Sequence, residues 1–153
     1  VDREVKTTRE SVGICDVTTL GKIDVQGADA AAFLNKIYCN GFAKLDVGKT
    51  RYGLMLREDG IAMDDGTAAR LAEDHFVVTT TTANAVSVYR HMEFVRQVLS
   101  PDMDVQLIST TESWAQYAVA GPNARNLLRK IVDAEFDISN EAFHLWPAAP
   151  SLF

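Results

Sequence analysis

Arg51-Tyr52-Gly53-Leu54-Met55-Leu56-Arg57-Glu58-Asp59-Gly60-Ile61-Ala62-Met63-Asp64-Asp65-Gly66-Thr67 is the stretch on which the fold turns. An Asp-Gly pair between two strand-like runs is a hairpin signal. It predicts strands over 50–57 and 61–72. With Asp59-Gly60 as a two-residue turn, Glu58 stands opposite Ile61, Leu56 opposite Met63, Leu54 opposite Asp65 and Tyr52 opposite Thr67. Side chains on one face recur every second residue. Tyr52, Leu54, Leu56, Met63, Asp65, Thr67 and Leu71 therefore share a face, expected to be the apolar one. Asp64 goes to the other face with Ala62, Gly66 and Arg70. A carboxylate among apolar side chains needs a partner. Its pKa would be raised, which suits a group that accepts a proton or holds a basic nitrogen. Tyr52 lies diagonal to Asp65, within reach of a long side chain. A three-residue turn, Glu58-Asp59-Gly60, would instead slip the register and put Asp65 opposite Gly53. Alternation alone also leaves open a bulge at Asp64-Asp65-Gly66 with both carboxylates in solvent.

Outward from the hairpin, residues 3–12 read as a helix ending near Gly13, and residues 20–26 as a strand broken by Gly27. Ala28 to Tyr38 reads as a helix, with Phe33, Leu34, Ile37 and Tyr38 at helical spacing. His75 to Thr80 is a strand. Thr82 is placed to cap a helix from Ala83 to Leu99, whose Ala85, Val88, Met92, Val95 and Leu99 would form one buried face. Residues 104–110 and 114–120 are further strands, and Pro122 opens a helix to about Ile131. Val25-Gln26-Gly27 followed by Ala30, Leu34, Lys36 and Ile37 is echoed by Val119-Ala120-Gly121 followed by Ala124, Leu128, Lys130 and Ile131. Each is a strand, a glycine turn and an amphipathic helix. The expected class is α+β: a mostly antiparallel sheet with helices on one face and ferredoxin-like β-α units. Residues 1–142 would form the domain. From Phe143 to Phe153, two prolines and large apolar residues without periodicity predict an irregular tail.

Composition narrows the function. The 153 residues fit one domain or a piece of a larger one. A net charge of −6 argues against a nucleic-acid partner, which needs clustered positive charge. No apolar run is long enough for a bilayer. The charged start, Val1-Asp2-Arg3-Glu4, is unlike a secretion signal and favours the cytoplasm. Cys15 and Cys39 make no disulfide framework and are expected as free, partly buried thiols. His75, His91 and His144 have no second ligand at metal spacing, so no metal is expected. Ser11 and Ser113 have no paired base. Gly48-Lys49-Thr50 ends like a P-loop, but Ala43 stands where that motif needs glycine. No Gly-x-Gly-x-x-Gly is present, so no flavin or NAD site is expected.

Arg51 to Leu56, then Gly60, then Met63-Asp64-Asp65 resembles the folate-binding hairpin of the glycine-cleavage T-protein (aminomethyltransferase) family. Gly13-Ile14-Cys15-Asp16-Val17-Thr18 is similar to the family's Gly-x-x-Asp-x-Ser/Thr signature, and Val119-Ala120-Gly121-Pro122-Asn123-Ala124 to its Val-x-Gly-Pro-x-Ala turn. The stretches Arg51–Thr67, Arg70–Phe76 and Thr79–Ala85 resemble in particular the aminomethyltransferase-like domain of sarcosine oxidase alpha subunits. The resemblance runs from about residue 3 to Phe143. It implies part of a folate-binding domain with tetrahydrofolate as its cofactor. A one-carbon unit from sarcosine oxidation would be joined to tetrahydrofolate as the methylene adduct. It implies Asp65 as the catalytic residue, at the reactive N10 side of folate. Tyr52, Leu54, Asp65, Thr67 and Thr80 would line the binding site. The partners implied are folate and other sarcosine oxidase subunits, or a second copy through self-association. A full family domain is more than twice this length, and its second half supplies acidic and basic pocket residues. The alternative is a truncated, non-catalytic fragment or association module of the same family.

Overall fold

A computed structural model describes residues 1–139 and 141–142. The tail expected over 143–153 lies outside the described residues. In chain order the elements are α1 (Asp2–Glu10), β1 (Gly13–Asp16), β2 (Gly21–Gln26), α2 (Ala30–Ile37), β3 (Thr50–Leu56), β4 (Ala62–Ala72), β5 (His75–Thr80), α3 (Ala85–Phe94), β6 (Gln106–Ser109), β7 (Tyr117–Ala120) and α4 (Ala124–Leu128). The chain forms two compact units: Val17–Gln116, and the flanking segments Val1–Asp16 with the residues from Tyr117 onward.

The central unit is a five-stranded sheet in the order β3-β4-β5-β2-β6. Every pairing in it is antiparallel. Its apolar core lies on one face of the sheet. Ile23 and Val25 of β2, Met55 of β3, Ala68 of β4, Phe76 and Val78 of β5 and Leu107 of β6 form one buried cluster with α2 and α3. The α2 stripe is as expected: Ala30, Phe33, Leu34 and Ile37 are buried at helical spacing, followed by Tyr38. The antiparallel α+β class read from the sequence is the class observed.

Helix α3 departs from its reading at both ends. Thr82–Asn84 is a single 3₁₀ turn, and no side chain caps the helix start. Val88, Met92 and Val95 are buried as expected, but Leu99 is exposed. The last five residues, Val95–Leu99, are a π-helix. Its wider turn rotates Leu99 off the stripe that a uniform 3.6-residue period would place it on.

In the flanking unit β1 pairs antiparallel with β7 as a two-stranded sheet. The strand β1 is not legible in the sequence, because it is short and its partner is more than a hundred residues away. The echo between 25–37 and 119–131 is real at the level of the turn. Gly27 and Gly121 take φ of +134° and +116°, and Asp29 and Asn123 start their helices at nearly the same dihedrals, −98°/8° and −97°/10°. The two β-α units belong to different sheets, so they are not two halves of one. Cys15 and Cys39 are free but exposed rather than partly buried. Among the described residues no helix is long and apolar enough to cross a membrane.

Candidate functional site on the outer sheet face

The hairpin contains two departures from regularity that cancel. Gly60 N–H donates to Arg57 O and Arg57 N–H to Ile61 O, each at 2.9 Å. The loop is therefore Glu58-Asp59-Gly60, three residues instead of two. Asp59 Oδ1 takes the Ile61 N–H at 3.1 Å, and Gly60 has φ +81°, the left-handed position such loops require. The ladder then runs Leu56 opposite Ala62, but Met55 opposite Asp64. Met63 is an extra residue on β4, a β-bulge. Beyond it Leu54 faces Asp65 and Tyr52 faces Thr67, which is the register a two-residue turn would give.

The faces are the reverse of the sequence reading. Gly53, Met55, Asp64 and Ala68 point to the core, and Asp64 is 6% exposed. Tyr52, Leu54, Asp65 and Thr67 share the outer face, where Asp65 is exposed and Leu54 and Thr67 are half-buried. The error arises because β4 carries small residues on its core side, so apolar bulk does not mark the buried face. The premise for a desolvated Asp65 fails with it, since the buried carboxylate is Asp64. That group is satisfied: Oδ2 accepts from Thr81 N–H at 3.1 Å and Oδ1 from Asn84 Nδ2 at 3.0 Å. Burial, and then the Asp64 charge, push the nearby Tyr38 phenol well above the ordinary tyrosine range.

On the outer face Tyr52 Oη donates to Asp65 Oδ2. The bond holds the phenol above its ordinary value, because ionising it would set two negative charges side by side. Asp65 keeps a second oxygen and an open approach from solvent. Next along the face, Thr67 and Thr79 hydroxyls are 2.8 Å apart, and Thr67 N–H donates to Thr79 Oγ1 at 2.9 Å. From Thr79 the face runs into a groove of about 210 Å³ lined by Lys22, Ala69, Leu71, Val77, Thr79 and Trp114–Gln116. Its lining is chiefly apolar, with half-exposed Trp114 on one side. Lys22 is 2% exposed, and its ammonium donates to Thr18 O at 2.6 Å and Leu20 O at 2.9 Å.

Of the five residues expected to bind, Tyr52, Leu54, Asp65 and Thr67 come together. Thr80 does not: it is buried on the core face opposite Gly21. Strand alternation gives its expected place to Thr79. The alternation of β5 was visible in the sequence and could have selected Thr79; nothing there pointed to Trp114 or Lys22. Gly48-Lys49-Thr50 turns into β3, not into a helix, so it is no P-loop. No cluster of three metal-ligating side chains occurs among the described residues.

Residues 1–150 match the GCVT N-terminal domain, and the chain belongs to that family. Sarcosine oxidase subunit alpha from Rhizobium meliloti (strain 1021) is 59% identical over 143 residues, covering 94% of this chain and 14% of that protein. The subunit alpha from Corynebacterium sp. (strain P-1) is 50% identical over 94% of this chain and 15% of its own length. An aminomethyltransferase from Chloroherpeton thalassium is 33% identical over 88% of this chain and 36% of its own. The crystal structure of glycine cleavage system aminomethyltransferase T from Bartonella henselae matches with a TM-score of 0.77 at 26% identity, over 88% of this chain and 36% of that one. The chain thus spans about a seventh of the length of the sarcosine oxidase subunits it matches.

Proposed function

We propose that the outer face of the five-stranded sheet is one wall of a tetrahydrofolate site, with Asp65 as its catalytic residue. The observation that carries the reading is the Tyr52–Asp65 pair, an exposed acceptor held by a tyrosine on the sheet face that leads through Thr67 and Thr79 to an apolar groove. An ionised carboxylate only accepts hydrogen bonds, so Asp65 suits an amine N–H such as those of reduced folate. Tyr52 orients it, Leu54 and Thr67 flank it, and the groove offers Val77 and Trp114 to a flat ring. A groove of about 210 Å³ is smaller than the roughly 300–1,000 Å³ of ordinary ligand sites. It can take one ring system, and the rest of a folate would be gripped by other parts of a longer protein.

In that longer protein the one-carbon unit released by sarcosine oxidation would be joined to tetrahydrofolate to give methylene-tetrahydrofolate. The share of this wall is to hold the amine and receive its proton at Asp65, chiefly by positioning. The proposed partners are folate and the further subunits that the relatives' designation as subunit alpha implies. Calorimetric titration with tetrahydrofolate, beside Asp65→Ala, tests the reading. Binding by the wild type that is lost or strongly weakened in Asp65→Ala is expected. Equal heats for both chains, or none for either, would overturn it.

A further inference from the structure

The bulge at Met63 decides where Asp65 points, and one side chain grips it. The three-residue loop alone would put Asp65 opposite Gly53, on the core face. The extra residue must be absorbed before Asp65, and it is absorbed at Met63. Asn84, in the 3₁₀ turn before α3, donates through Nδ2 to Met63 O at 3.2 Å and to Asp64 Oδ1 at 3.0 Å. The Asp64 carboxylate is tied in addition to Thr81 N–H at 3.1 Å. The two protons of one amide thus span the bulged residue and its successor, and they come from an element outside the hairpin. Nothing in the turn prefers Met63 over the next positions, Asp64 or Asp65, as the place for the bulge. A partly buried amide and a buried carboxylate that are satisfied only in this arrangement do supply such a preference.

We propose that Asn84 is a positioning residue for the Tyr52–Asp65 pair, acting by pinning the extra residue of β4 at Met63. The site it serves is that of the proposed function, but the geometry stands whether or not folate binds there. Loss of the amide leaves the bulge free to migrate past Asp65. That would turn Asp65 toward the core and put Asp64 opposite Leu54, in the place Asp65 holds, so that the Tyr52 hydrogen bond passes from Asp65 to Asp64. Deleting Met63 makes the opposite prediction. Without the extra residue, a three-residue loop and a regular ladder pair Leu54 with Asp65 directly, and Asn84 has no bulge left to pin.

The test reads the pair without ligand. Tyrosinate absorbance is followed against pH, and the Tyr52 step is isolated by subtracting the matching chain that carries Tyr52→Phe. The wild type is expected to show a step above the ordinary tyrosine value. In the wild type Asp65→Asn should return that step toward the ordinary value, and Asp64→Asn should move it far less. In Asn84→Ala the dependence should exchange, with Asp64→Asn returning the step, and deletion of Met63 in the Asn84→Ala chain should restore its dependence on Asp65. A general loss of stability would not be repaired in this way. If Asn84→Ala fails to fold, a folded double variant whose step depends on Asp65 gives the same support. A step that still depends on Asp65 in folded Asn84→Ala, or a double variant in which it does not, overturns the proposal. The tetrahydrofolate titration can fail while this result stands, so the two readings are judged separately.

Discussion

Leu54 and Asp65 face each other across the β3–β4 ladder, although the loop that joins their strands is one residue longer than that pairing implies. The bulge at Met63 makes up the difference, and it separates two adjacent aspartates into different roles. Asp64 is a buried structural acceptor; Asp65 is an exposed one with a tyrosine attached.

Their substitutions should therefore differ in kind. Asp64→Ala leaves the Thr81 N–H and one Asn84 N–H without partners at a part-buried place. A fully buried orphaned donor costs about 1–3 kcal/mol; for these two partly exposed donors a joint loss of about 2–4 kcal/mol is expected in urea denaturation, with Asp64→Asn milder. Asp65→Ala removes an exposed side chain and should stay within about 0.5 kcal/mol of the wild type. Equal losses at the two positions would show that the burial assigned to Asp64 is wrong.

Much of this was readable beforehand, and the failures have physical reasons. The strand β5 was predicted to the residue, because His75 to Thr80 alternates cleanly between a core side and an outer side. The Leu54–Asp65 pairing was also predicted, but through a loop and a ladder that both differ from the real ones by one residue. Neither the three-residue loop nor the bulge leaves a composition signal. The outer and inner faces were exchanged because Gly53, Gly66 and Ala68 make the core side of the hairpin look empty. The ring of Phe42 and the buried Tyr38 fill that space, and both come from the segment after α2. Asn84, read as the second residue of a regular helix, gave no hint that its amide reaches back to β4.

The two strand glycines of the hairpin, Gly53 and Gly66, should be unequal. A Cβ on Gly66 would run into the carbonyl oxygen of Thr79 on the neighbouring strand. Backbone cannot yield without opening the β4–β5 ladder. A Cβ on Gly53 would meet the Tyr38 ring at 2.9 Å and the tip of Phe42 at 3.0 Å, which can move by a few tenths of an ångström. Gly66→Ala should cost about 3 kcal/mol and Gly53→Ala about 1 kcal/mol, at the two ends of the usual overpacking range. Thermal or urea unfolding of both variants measures the order, which a reversed ranking would refute.

The Tyr52 phenol carries a signed pH dependence. Its hydrogen bond to Asp65 raises it above the ordinary 10.0 in the folded chain. The folded state therefore holds the proton more tightly than the unfolded state. The stabilisation is complete below about pH 10 and is lost as pH rises through the folded value. Tyr52 is 44% exposed, so solvent screening keeps the effect small. The stability difference between wild type and Tyr52→Phe should be flat up to about pH 10 and shrink above it. Tyr38 and Tyr89 are also raised, but they are common to both chains and cancel in the difference. A difference that grows with alkali would contradict the hydrogen bond.

Trp114 reports on how far a ligand extends from Asp65. It lies half-exposed beside the groove that begins at Thr79, whereas Asp65 sits at the hairpin end of the same face. A ring that stacks in the groove while its amine meets Asp65 should quench Trp114 fluorescence in step with the calorimetric titration. The chain's other tryptophan, Trp146, is replaced by phenylalanine so that a single emitter remains. Replacement of Trp114 by phenylalanine should abolish the signal, and replacement by alanine should weaken binding by about 1–3 kcal/mol, the usual scale of one base-on-aromatic stack. Binding that depends on Asp65 but leaves Trp114 emission untouched would confine the ligand to the hairpin and leave the groove out of the site.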